Sequence, residues 1–148
     1  MTVLDAFAVI AFLRDEPARD DVEKLLRSDD TCRMSTINVA ELVNVLHRSS
    51  KVDLDVIDRQ IQILELSGVI FEAPSTEIGL LAGRLRAIHY DRNDCAISLA
   101  DCFALALAIT TQEPLATADT ALATVTIAAG GQLMGLPNSA GKMPQPRL

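Results

Sequence analysis

Val3-Leu4-Asp5-Ala6-Phe7-Ala8-Val9-Ile10 is an apolar run broken by one carboxylate. Thr2–Leu4 has the character of a very short buried strand, and Ala6–Leu13 continues as an apolar helical segment. No turn residues separate the two. A strand that passes straight into a helix, with an acid at the junction, belongs to a sheet flanked by helices. The same stretch does not read as a secretory leader, because it lacks a cationic lead and carries a charge inside its apolar run.

Further along, the alternation continues. Asp15-Glu16-Pro17 punctuates the first helix, Pro17 suits a first helical position, and Ala18–Leu26 follows as an amphipathic helix. Cys32–Met34 is a candidate strand, after which Ser35 or Thr36 can cap a helix to about Arg48. Asp53–Leu66 is helical, Gly68 ends it, and Val69–Phe71 is a short β-type run. Thr76–His89 reads as a helix, Tyr90–Ala96 as a polar loop, and Leu99–Thr110 as an almost wholly apolar helix. Pro114–Thr117 is another short buried strand, Ala118–Leu122 a turn of helix, and Val125–Ala128 a last strand candidate. Residues 129–148, with Gly130, Gly131, Gly135 and three prolines, read as an ordered loop fading into a mobile tail. No repeat or linker divides the chain, so residues 1–148 are expected to form a single domain. Short strands alternating with longer helices predict an α/β fold: a short-stranded, mostly parallel sheet with helices on both faces. In such sheets ligands bind beyond the carboxyl ends of the strands.

Composition narrows the function. With 49% apolar residues, four Phe, one Tyr and no Trp, the core must be built from Ala, Leu, Ile and Val. That scarcity of rings argues against a stacking platform for single-stranded nucleic acid. A mean hydropathy of +0.26 hints at a buried partner surface. The net charge of −7 is the opposite of a generic nucleic-acid binder, which draws its affinity from neutralising phosphates. Acidic chains still act on phosphates when their carboxylates hold divalent cations. Cys32, Cys95 and Cys102 form no CxxC pair and read as free thiols of a reducing cytoplasm. No apolar stretch reaches membrane-spanning length without charge.

Most of the 20 acids cluster in polar segments, but four interrupt apolar contexts. Asp5 ends the first strand, Glu41 lies within Val39-Ala40-Glu41-Leu42-Val43, Asp101 opens the apolar Leu99–Thr110 helix, and Asp119 follows the Pro114–Thr117 strand. Asp101 is the strongest anomaly, since an unpaired buried carboxylate is costly and no Lys or Arg lies one turn to either side. Two acids at strand carboxyl ends and two in apolar helices can meet in a doubly wound fold. Like charges gathered there call for a divalent cation, and all-carboxylate ligation favours Mg²⁺ or Mn²⁺ over Zn²⁺. His47 and His89, the only histidines, have no partner at ligand spacing. Asn38 and Asn44 flank Glu41 at three residues and can orient it; Ser98 precedes Asp101 by three, and Thr117 precedes Asp119 by two. Each of these also suits an ordinary cap or turn.

The order and local texts of these acids, Val3-Leu4-Asp5-Ala6-Phe7-Ala8, Ala40-Glu41-Leu42, Ser98-Leu99-Ala100-Asp101 and Ala116-Thr117-Ala118-Asp119, resemble the PIN-domain family and its VapC toxins. The resemblance covers about residues 1–128. It implies a PIN-like α/β/α sandwich and a Mg²⁺- or Mn²⁺-dependent endoribonuclease acting as the toxin of a VapBC-like pair. It also implies a homodimer inhibited by a cognate VapB-like antitoxin. Asp5, Glu41, Asp101 and Asp119 would be the catalytic, metal-holding set, supported by Thr117, Asn38 and Ser98. Arg14, Arg48, Lys51, Arg84, Arg86 and Arg92 are available for phosphate contacts, although each also reads as an ordinary solvated charge. Many relatives place Ser or Thr directly after the first acid, and a larger polar or basic residue after the last; this chain has Ala6 and Thr120.

Three rival readings fit the residues less well. A haloacid-dehalogenase-like phosphatase needs a second Asp two residues after the first, where Phe7 stands. A receiver domain needs a late Lys at a strand end, and Lys142 lies in the Gly/Pro tail. A PIN fold that binds RNA or a partner without cutting has less reason to carry all four acids.

Overall fold

The computed structural model describes residues 1–147. In chain order the elements are β1 (Thr2–Leu4), α1 (Ala6–Leu13), α2 (Arg19–Arg27), β2 (Cys32–Ser35), α3 (Thr36–Arg48), α4 (Leu54–Leu66) and β3 (Ile70–Glu72). They continue as α5 (Thr76–His89), α6 (Leu99–Thr111), β4 (Leu115–Thr117), α7 (Thr120–Ala128) and β5 (Leu133–Gly135). All four strand pairings are parallel, in the order β3-β2-β1-β4-β5.

Alternation along the strands sorts the core into two layers. Leu4, Met34 and Ala116 turn to one face and pack with α1 through α4, among them Val9, Val22, Leu42, Leu46 and Ile57. Val3 and Leu115 turn to the other and pack with α5, α6 and α7 through Ala82, Leu85, Leu105 and Leu122. The expected helix layers on both faces are therefore present, and the sheet is wholly parallel. β1 and β4 are buried along their whole length, and an acid follows each within two residues.

Two element assignments are corrected. Pro17 is not the first helical residue: α2 starts at Arg19, and the Arg19 N–H closes a tight turn onto the Glu16 carbonyl at 2.8 Å. Val125–Ala128 is not a strand but the end of α7. Its β-branched residues bury Val125 and Thr126 at helical spacing with Leu122 and Ala123. The Thr124 and Thr126 hydroxyls each donate to the carbonyl four residues back at 2.7 Å, so the helix absorbs their polarity.

The fifth strand lies instead in the Gly/Pro-rich segment, as β5, with Leu133, Met134 and Gly135 registered against Leu115, Ala116 and Thr117. Beyond it Leu136 is buried, and the Gln145 and Arg147 amides donate to Thr120 Oγ1 (3.3 Å) and Thr124 Oγ1 (3.1 Å). The segment thus packs along α7 as far as residue 147, where a mobile tail was expected. Cys32 and Cys102 are buried and Cys95 half-buried, all three as free thiols. No helix among the described residues is long and apolar enough to cross a membrane.

Candidate active site

From β1 the chain adds β2 and β3 on one side, then returns to add β4 and β5 on the other. The strand order therefore reverses between β1 and β4, and ligands favour the crest at such a reversal. Asp5 follows β1 and Asp119 follows β4 by one residue. The amino ends of α3 and α6 approach each other there, with Asn38 Nδ2 donating to the Ala100 carbonyl at 3.1 Å. A cavity of about 470 Å³ opens at this crest, and Asp5, Glu41, Asp101 and Asp119 all line it.

Local helix chemistry explains three of the four positions. Asp5 is the N-cap of α1, its Oδ1 accepting from the Ala8 amide at 2.7 Å. Asp119 caps α7 in the same way, Oδ1 accepting from the Leu122 amide at 2.6 Å. Asp101 forms a capping box with Ser98: its Oδ2 accepts the Ser98 amide at 2.7 Å, and Ser98 Oγ accepts the Asp101 amide at 3.0 Å. Helix amino ends present unsatisfied N–H groups and the positive pole of the helix dipole. They make negative charge tolerable at the crest of the buried sheet. In each case one carboxylate oxygen serves the helix end.

Glu41 stands apart, in the body of α3 with no cap to serve. Its carboxyl is pushed up by burial and then by the Asp101 charge, against hydrogen bonds from Asn38 and Ser98. Asp101 is raised by burial, with Asp119 adding its charge and the Ser98 bonds opposing. Asp5, only 3% exposed, is raised furthest. Burial lifts it from 3.8 to about 7, the Thr117 hydroxyl and the Ala8 amide pull it back, and the Asp101 and Glu41 charges add to the rise.

The supporting residues divide. Ser98 lines the cavity, Thr117 Oγ1 accepts the Asp119 amide at 3.0 Å beside Asp5, and buried Asn38 bridges Glu41 to the start of α6. Asn44 is exposed and takes no part in the cavity lining. The same holds for Arg14, Arg48, Lys51, Arg84, Arg86 and Arg92, none of which lines the cavity. Arg86 is engaged elsewhere, with Nε donating to the Ile97 carbonyl at 3.1 Å and the guanidinium 4.1 Å above the Tyr90 ring. Phe7, Ile10 and Val45 form an apolar wall that the sequence reading did not single out, and Asn138 joins the lining from beyond β5. Pro137-Asn138 and Gly141 mark a turn in the sequence, but nothing local places that turn at the crest.

The donor set is chemically suited to a hard divalent cation: carboxylate oxygens dominate the lining, and no imidazole or thiolate is present in it. Burial first, and the Asp101 and Glu41 charges after it, favour the protonated form of Asp5 up to about pH 7. As the side chains stand, no three acids, histidines or cysteines among the described residues converge closely enough to hold one ion. Asp5, Asp101 and Asp119 are drawn toward their own helix ends, and repulsion among them acts in the same direction.

Against known proteins, the model of a family described as PIN domain matches residues 2–127. This chain belongs to the PIN domain family. Solved structures of the same fold include VapC20 of Mycobacterium tuberculosis, described as a sarcin-ricin loop cleaving toxin, with 14% identity and a TM-score of 0.61 over 78% of this chain and 87% of that one. VapBC2 of Rickettsia felis, bound to a DNA fragment from its promoter, gives 18% identity and a TM-score of 0.65 over 90% of this chain and 96% of that one. VapBC-1 of nontypeable Haemophilus influenzae gives 19% and 0.64 over the same shares, 90% and 96%. No curated protein matches the sequence significantly. At these identities the structural likeness carries the PIN fold alone.

Proposed function

We propose that this PIN domain is a divalent-cation-dependent endoribonuclease and the toxin of a VapBC-like toxin–antitoxin pair. The observation that carries the reading is the meeting of Asp5, Glu41, Asp101 and Asp119, from four separate elements, in one cavity at the sheet's reversal point. Support for the substrate and partner comes from solved structures of the same fold: one is described as a sarcin-ricin loop cleaving toxin and another, from Klebsiella pneumoniae, as a toxin–antitoxin complex. RNA, a VapB-like antitoxin and a second copy of the chain are the partners proposed, in a cytoplasm that keeps its three thiols free.

Mg²⁺ or Mn²⁺ bound among the carboxylates supplies a more acidic water and neutralises charge developing on the phosphate. The protein's own part is positioning. The carboxylates of Asp5, Asp101 and Asp119, which line the cavity, would hold the cation, directly or through water. Asn38 and Ser98 orient the Glu41 carboxylate, and the Thr117 hydroxyl steadies Asp5. Phe7, Ile10 and Val45 keep one side of the cavity apolar, which strengthens the field of the acids across it.

The test is cleavage of total RNA by the purified chain with Mg²⁺, Mn²⁺ or EDTA, beside Asp101→Asn. The amide keeps an acceptor for the Ser98 N–H, so the helix end survives while the ligand charge is lost. Metal-dependent fragments that vanish in the variant are expected. A PIN fold that binds without cutting is the second reading. Cleavage by neither protein would decide for that reading.

A further inference from the structure

The segment after β5 contributes a wall to the acid cavity through Asn138. Its side chain is fixed by its own loop. Asn138 Oδ1 accepts the amides of Ala140 (2.9 Å) and Lys142 (3.0 Å), while the Asn138 amide donates to the Lys142 carbonyl at 2.8 Å and its carbonyl accepts the Gly141 amide at 2.7 Å. Two converging N–H groups settle which end of the carboxamide is oxygen. Gly141 sits at φ +74, in the left-handed region that favours glycine.

The loop is pinned on both sides. Leu136 is 2% exposed before it, and a Cβ on Gly135 would meet Met143 and Pro144 at 3.3 Å, so the chain lies close over β5. Ser139 Oγ donates to Glu16 Oε2 at 3.1 Å, tying the loop to the turn between α1 and α2. Asn138 Nδ2, in contrast, has no hydrogen-bond partner among the described residues. A carboxamide nitrogen carries two donor hydrogens, and this one belongs to a rigidly held residue lining a cavity whose other polar groups are mostly acceptors.

We propose that Asn138 is a substrate-positioning residue that donates from Nδ2 to a phosphate or ribose oxygen of an RNA strand lying in the acid cavity. The proposal rests on the ribonuclease reading and adds to it. A strand entering a cavity lined by four carboxylates needs a donor to fix its register. Because no Arg or Lys lines the cavity, a neutral, pre-oriented amide supplies this without competing for the carboxylates.

Asn138→Asp and Asn138→Ala separate the possibilities. The Asp variant keeps the acceptor for the Ala140 and Lys142 amides and removes the donor; the Ala variant removes the donor without adding charge. Binding is read by fluorescence anisotropy in an Asp101→Asn background with Mg²⁺, using a labelled oligonucleotide that spans a site cut by the native chain. Both variants should raise Kd about tenfold or more, the loss expected for a hydrogen bond to a charged group. In the cleavage-competent chain KM should rise by the same factor with kcat within about twofold, and Asn138→Asp should melt like the native chain. Native-like binding by Asn138→Asp overturns the proposal, and so does weakening by Asp alone, which would report charge repulsion. If the native chain cuts no RNA, the ribonuclease reading falls and the proposal with it; if it cuts and the variants bind normally, only the proposal falls.

Discussion

Asp5 is held in place by the Ala8 amide and the Thr117 hydroxyl, yet it is buried and faces the charges of Asp101 and Glu41. Its folded-state value, raised from 3.8 to about 7, has a definite consequence for stability. A carboxyl that binds its proton more tightly when folded destabilises the fold only once it ionises. The penalty is absent below about pH 4, grows between about pH 4 and 7, and is complete above. Denaturant titrations of the native chain in EDTA should therefore show this contribution to stability falling from pH 4.5 to 7.5. Asn keeps the N-cap acceptor and cannot ionise, so Asp5→Asn should flatten that dependence. It should also raise stability at pH 7.5, by up to roughly 4 kcal/mol, while abolishing metal-dependent cleavage. A variant with the native slope would remove the electrostatic account of the site.

Helix ends do double duty at the element scale. Ser98 caps α6 and touches the cavity, whereas Ser75 caps α5, its Oγ accepting the Ile78 amide at 3.2 Å, and lines no part of the cavity. Ser98→Ala and Ser75→Ala should each lose about 1 kcal/mol in urea denaturation. Only Ser98→Ala should also lower cleavage, by tenfold or more, because it removes the hydroxyl that favours the ionised forms of Glu41 and Asp101. At the other end of α6, Gln112 closes the helix at φ 57, left-handed backbone occupied by a residue with a Cβ. Gln112→Gly should stabilise the chain by about 0.5–1 kcal/mol with cleavage unchanged. A loss of stability there would mean that the exposed Gln side chain makes a contribution its surroundings do not reveal.

For the molecule as a whole, the segment beyond α7 completes both sheet and site. β5 closes one edge of the sheet on β4, Leu136 fills the core beside α1–α4, and Asn138 joins the cavity wall. Leu136→Ala should therefore behave as a core truncation, lowering stability by about 2–4 kcal/mol in denaturant unfolding. A change below about 0.5 kcal/mol would identify the segment as surface decoration. The acids are distributed over the molecule in the same integrated way. Asp5, Glu41, Asp101 and Asp119 are separated by most of the chain, and the reversal of strand order between β1 and β4 brings them to one crest.

The strand–helix junction at Asp5, the apolar α6 and the alternation of short strands with helices were legible from residue pattern, because burial imposes its period locally. The four acids stood out for the same reason, as charges where only burial was expected. Three things required the tertiary structure. Val125–Ala128 carries β-branched residues that suit a strand, and only packing beside α6 makes it helix. Leu133–Gly135 is too short and Gly-flanked to announce itself, and becomes a strand only because β4 offers an open edge. Asn138 lies in an ordinary-looking turn whose place in the cavity wall depends on where β5 ends. Local pattern determines which segments must be buried and which charges are out of place; which edge a strand joins, and which distant side chains then face one another, depends on contacts between elements far apart in the chain.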